Sequence, residues 1–198
     1  MVAGASDGTQ SVWNAVTGEC IHNLAAGADA SGHDGPVSAV AALGGGRHVS
    51  GGWDGTIRVW HAQKGVCERI LAVEPRSKVT ALAPLGMGRL AVASADGAVR
   101  VWDAARGVLM HDLNDHHGWV TFLAATPDGR FVSGGADNCV RFWDPLAGTC
   151  CRVFPAAPGD TQVPCFAAMG VSGRLTTGRW CFTLPAGHDI VLEAKALS

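Results

Sequence analysis

Ser50, His33 and Asp54 bring a hydroxyl, an imidazole and a carboxylate into one short stretch. These are the side-chain types of a nucleophile, a general base and an orienting acid, and on that reading the chain is a hydrolase. The same three types return at Ser133, His116 and Asp137, and a tryptophan completes each set, Trp60 in the first and Trp143 in the second. An enzyme rarely needs two copies of one triad on separate elements. The repetition points instead to architecture, because polar groups inside a sheet-packed interior must be hydrogen-bonded and a complete network is strong. No catalytic residue is expected.

Seven cysteines invite a metal or disulfide reading, but no C-x-x-C pair exists and Cys150-Cys151 is the only close pair. Cys20, Cys67 and Cys150 recur at one position of a repeat, which puts them on different elements as small apolar strand residues. An odd count without a framework favours a reducing compartment. Two of the eight histidines belong to the repeated sets and the others are scattered. Neither a metal nor a cofactor is expected.

The elements that position these residues follow from the repeat itself. Val49-Ser50-Gly51-Gly52-Trp53-Asp54-Gly55-Thr56-Ile57-Arg58-Val59-Trp60 returns in degenerate form at 91–102, at 132–143 and at 2–13. The closing tryptophans, Trp13, Trp60, Trp102 and Trp143, are spaced by 47, 42 and 41 residues. Asp7-Gly8, Asp54-Gly55, Asp96-Gly97 and Asp137-Asn138 separate two β-prone runs in each copy, and such pairs tolerate the positive φ of a tight hairpin. A second turn follows each tryptophan, at Thr17-Gly18, Lys64-Gly65, Arg106-Gly107 and Ala147-Gly148. With one run before the hairpin and one after this turn, each period holds four strands, the size of a propeller blade. The fold class is all-β.

These residues resemble the WD40 family, clearly over 2 to about 154 and weakly beyond. Gly32-His33 and Trp60-His61 flank one repeat, and Asp115-His116 and Trp143-Asp144 flank another, where the family has Gly-His and Trp-Asp pairs. The resemblance implies a single β-propeller domain over 1–198. Blade one spans about 1–24 without its first strand, blade two 32–71, blade three 78–113 and blade four 115–154. A degenerate fifth blade with a closing strand occupies about 162–198. It also implies that His33, Ser50, Asp54 and Trp60, and equally His116, Ser133, Asp137 and Trp143, form a buried hydrogen-bond relay. Blade three should lack the relay, because Val92 aligns with Ser50 and Val73-Glu74-Pro75-Arg76-Ser77 stands where Gly-His should fall. Blade one carries Ala3 at the Ser position.

The chain begins at a second strand, and Ile190–Leu197, preceded by Gly187-His188-Asp189, is a candidate for the missing first strand of blade one. His188 would then sit near Asp7 and Trp13. Two outcomes stay open: a closed ring of about five blades, or part of a larger propeller, since seven blades need roughly 290 residues.

Composition narrows the function. With 15 Lys+Arg against 17 Asp+Glu and no basic run of five, nothing draws the chain to nucleic acid. No apolar stretch approaches a membrane span, and the N-terminus lacks the basic and apolar parts of a secretory signal. A cytoplasmic or nuclear protein is expected, with other proteins or peptides as partners. In propellers of this kind, the loops leading into first strands and the residues before the hairpin Asp line one face. Trp53 and Trp119 occupy such positions without being repeat tryptophans, and Arg76 and Lys78 lie beside them, so these four are the contact candidates. The third-strand Arg58, Arg100 and Arg141 read as blade-surface residues. The implied function is a non-catalytic scaffold for protein–protein interaction. A ubiquitin-ligase substrate receptor is a narrower alternative, although Trp102-Asp103-Ala104-Ala105 and Trp143-Asp144-Pro145-Leu146 lack the adaptor-docking Arg of that class.

Overall fold

Each period of the repeat forms one antiparallel sheet, because its β-prone runs are joined by turns too short for any other pairing. The structure is a computed structural model describing residues 1–25, 32–72 and 76–155, together with the backbone of four strands between 167 and 196. The first sheet has three strands, β1 (Val2–Gly4), β2 (Gln10–Trp13) and β3 (Cys20–Leu24). The second joins β4 (Val37–Gly44), β5 (Arg47–Gly52), β6 (Thr56–His61) and β7 (Val66–Ala72). The third joins β8 (Val79–Gly86), β9 (Arg89–Ser94), β10 (Val99–Asp103) and β11 (Val108–Leu113). The fourth joins β12 (Val120–Ala125), β13 (Phe131–Gly135), β14 (Cys139–Asp144) and β15 (Thr149–Pro155). The fifth joins β16 (Ala167–Met169), β17 (Arg174–Thr176), β18 (Trp180–Thr183) and β19 (Lys195–Ala196). There is no helix among the described residues.

The hairpin turns take the conformations their residues allow. Gly8, Gly55 and Gly97 have positive φ, and Asn138 takes the same region in the fourth copy at φ 56°, the residue besides glycine best suited to it. At the other end of each third strand the register slips by one residue beside the repeat tryptophan, at Trp13, Trp60, Trp102 and Trp143. That bulge sets Cys20, Cys67 and Cys150 opposite Trp13, Trp60 and Trp143 on the first, second and fourth sheets.

Apolar burial lies between neighbouring sheets rather than in one central core. Val49, Ile57, Val59 and Leu71 of the second sheet pack on Val79, Leu90, Val92 and Trp102 of the third. Ala91, Ala93, Val99 and Val101, on the opposite face of the third sheet, pack on Val120, Phe131 and Trp143 of the fourth. Val12 and Leu24 of the first sheet meet Trp60 of the second. Strand alternation explains the division, since successive residues of β6, β10 and β14 serve opposite neighbours. Polar links reinforce the same joints. The Ser38 hydroxyl donates to the Val79 carbonyl, and Thr80 donates to that of Val120 at 2.5 Å. At the outer edge, His22 Nε2 lies 2.8 Å from the Gln63 carbonyl, and Arg69 donates to the Arg106 carbonyl at 3.2 Å.

The last strand corrects one expectation. Lys195–Ala196 pairs with Trp180–Cys181 as the fourth strand of the fifth sheet, not beside Val2–Gly4, and the first sheet keeps three strands. Pairing with a strand nearby in sequence closes a far smaller loop than pairing with the opposite end of the chain, and its entropic cost is lower. His188, Ile190–Ala194 and Leu197 lie outside the described residues.

Candidate functional site

Both repeated polar sets assemble, each on the sheet face turned towards the preceding sheet. His33, in the loop leading into β4, directs Nδ1 at the Asp54 carboxylate (3.1 Å) and Nε2 at Ser50 Oγ (2.7 Å). Trp60 Nε1 donates to the same hydroxyl at 2.8 Å. Gln10, reaching across from the first sheet, donates to it at 3.1 Å. With both lone pairs of Ser50 Oγ engaged by these donors, its own proton is directed to His33 Nε2, so His33 carries its ring proton on Nδ1 and gives it to Asp54. Asp54 also accepts from the backbone N–H of Asp34 and Thr56, tying the lead-in loop to the hairpin. The second set repeats this geometry, with His116 at 2.9 Å from Asp137 and 2.7 Å from Ser133, and Trp143 donating to Ser133 at 2.7 Å.

Electrostatics follows from burial and these bonds. Burial works against charge on Asp54, but the hydrogen bonds from His33, Thr56 and Asp34 outweigh it and hold the carboxyl below the usual carboxylate range. Asp137 balances the same opposing effects, with His116 and Arg141 as its principal donors, and is held at about 2. Burial lowers His116 from the ordinary imidazole value, with Asp137 opposing. Burial also pulls His48 down to about 4, where it stacks on Trp60 with neither ring nitrogen hydrogen-bonded.

The third sheet lacks the set. Val92 takes the serine position, and the buried Trp102 Nε1 has no hydrogen-bond partner. Arg100 donates to Ser94 and pairs with Asp96 at 3.0 Å. Glycine placement records the same difference. A Cβ at Gly52 or Gly135 would run into the His33 or His116 ring, whereas Ser94 occupies the equivalent position in the sheet without the histidine.

Arg58, Arg100 and Arg141 correct a second expectation, for all three are buried between sheets rather than exposed on blade surfaces. Each lies four residues after its hairpin Asp, and Arg141 reaches both Asp137 and His116 at 2.6 Å. The repetition of an arginine inside a strand, in step with the Asp, was the signal. Gln10 was missed as well, although a polar residue standing where the other copies have Ile57, Val99 and Val140 marks it out.

The contact candidates lie at the hairpin end of the sheets. Trp53 is 51% exposed and Trp119 58%, while Arg76 and Lys78 are exposed. Lys78 Nζ sits 4.0 Å above the Trp53 ring, a cation–π contact between the second and third sheets. The turn at Gly55 abuts Arg76 and Ser77, and the turn at Gly97 abuts His116 and Gly118. Trp53 and Lys78 are therefore brought together, and Trp119 follows one sheet further along the same edge.

Comparison with known proteins agrees with this architecture. The family model for WD40, described as "WD domain, G-beta repeat", matches residues 18–61, 65–103 and 107–144. Among solved structures, the chain is similar to the WD40 beta propeller domain of Doa1, with 21% identity and a TM-score of 0.74 over 92% of this chain and 56% of that one. It is also similar to the computationally designed Ika8 protein, with 30% identity and a TM-score of 0.73 over 89% of this chain and 51% of that one. The chain thus spans about half the length of each. No curated protein matches it. The three matched repeats cover more than half of the sequence and take in both polar sets, so the chain belongs to the WD40-repeat family.

Proposed function

We propose that the chain is a non-catalytic scaffold that docks protein partners on the face carrying Trp53, Arg76, Lys78 and Trp119. WD40 propellers generally serve protein interaction, and one observation carries the assignment to this face. Two indoles, each more than half exposed, stand on one edge with a lysine held over the first. Large aromatic side chains that stay more than half in water are the residue type that dominates binding energy at interfaces. Ser50 supports the non-catalytic part of the reading. Its hydroxyl is completely buried and already engaged by His33, Trp60 and Gln10, which leaves no approach for a substrate carbonyl.

The test combines affinity capture with two variants. Trp53→Ala and Trp119→Ala together should abolish recovery of the partners that the wild-type chain retains. Recovery of the same partners by a folded double variant overturns the assignment of this face. Labelling of Ser50 by a serine-reactive fluorophosphonate would return the chain to the hydrolases.

A further inference from the structure

At the end of the sheets opposite Trp53, where β4 turns into β5 and β8 into β9, a cavity of about 410 Å³ opens between the second and third sheets. Leu43, Val59 and Ala104 supply an apolar wall, and Arg47, Glu68 and Arg69 border it. Arg47 Nε donates to Glu68 at 2.7 Å, which sets one guanidinium against the one carboxylate. Arg69 gives one N–H to the Arg106 carbonyl at 3.2 Å. Each guanidinium has five N–H donors, so both retain capacity for an incoming acceptor, and the rim keeps a net positive charge.

We propose that this cavity receives the carboxyl terminus of a partner polypeptide ending in an aliphatic residue. Its volume lies within the range of ligand-binding clefts, and guanidinium forks match a carboxylate in shape as well as charge. A terminus meets both requirements with fewer residues than an internal acidic segment. In an extended peptide, neighbouring side chains point to opposite faces, so an internal acidic residue needs an apolar residue two positions away to fill the wall beside it. At a terminus the carboxylate and the side chain hang from one Cα, and a single residue supplies both the wall and the rim. The site is remote from Trp53 and Trp119, and its existence does not depend on docking there.

The experiment titrates fluorescein-labelled Gly-Gly-Gly-Leu, with a free carboxylate, with the full chain and follows anisotropy. Binding is expected, weakened at least tenfold for the Leu-amide peptide and at least tenfold by Arg69→Gln. Methionine-methyl NMR of the wild-type chain gives a second reading that needs no variant. The Met87 methyl, on the rim of the cavity, shifts with the acid peptide and stays in place with the amide. Equal affinity for acid and amide, no binding of either, an unmoved Met87 methyl, or a folded Arg69→Gln chain with undiminished affinity each overturns the proposal. Should Arg69→Gln fail to fold, the acid–amide comparison and the Met87 methyl decide it.

Discussion

At the residue scale, the hydrogen-bond sets assign different weights to side chains of one type. Trp60 donates to Ser50 while Trp102 Nε1 donates to nothing, so the two repeat tryptophans differ in what a phenylalanine would lose. Trp60→Phe is expected to cost about 1 kcal/mol more than Trp102→Phe in chemical denaturation, the net worth of one hydrogen bond. His33→Ala and His116→Ala should each lower stability by about 1–3 kcal/mol, because each leaves a buried serine and carboxylate short of a partner. Unchanged melting for both would contradict the relay. Protonation gives a pH signature. His48 falls from an ordinary value of 6.5 when unfolded to about 4 when folded, so the unfolded chain binds the extra proton between them. Its contribution is therefore complete above pH 6.5 and is lost as pH falls towards 4. Asp137, ordinarily 3.8 and here about 2, contributes fully above its unfolded value and loses that contribution as pH falls through 2; Asp54 acts in the same direction. His48→Phe should keep the stack on Trp60 and flatten the upper limb of a stability–pH curve measured by denaturant titration.

At the element scale, the presence or absence of a histidine decides how its sheet is built. The second and fourth sheets keep glycine where the His33 and His116 rings need the space, and the third, without the histidine, carries Ser94, which accepts from Arg100. Gly52→Ser is expected to destabilise by about 1–3 kcal/mol, the usual cost of overpacking, and Ser94→Gly by much less. Equal losses in thermal melts would show that the histidine does not set this position. The hairpins themselves were legible in the sequence, since Asp-Gly and Asp-Asn pairs between β-prone runs specify their turns locally. Which neighbour each strand face meets was not legible, because in the second, third and fourth sheets both faces are covered and alternation alone names neither.

At the scale of the whole molecule, the first four sheets pack each on the next in the series, so the joints decide how far a disturbance spreads. Ser38→Ala and Thr80→Val each remove one hydroxyl link between sheets, at a cost of about 1 kcal/mol. Amide exchange should speed up at the joint concerned and remain slow inside each sheet; uniform acceleration would mean that the sheets unfold as one unit. The sequence by itself determined the four clear copies, their turns and the two polar sets, because these depend on contacts within one period or on repetition at a fixed interval. Tertiary structure alone decided the burial of Arg58, Arg100 and Arg141, the reach of Gln10 to Ser50, the pairing of Lys195–Ala196 within the fifth sheet and the cavity bordered by Arg47 and Arg69. Three of these arise between neighbouring sheets, where residues some 40 positions apart meet, as Gln10 and Ser50 do, and no local preference records such a meeting. The fourth turned on a choice between two partners for one short strand, of which the nearer in sequence closes the smaller loop.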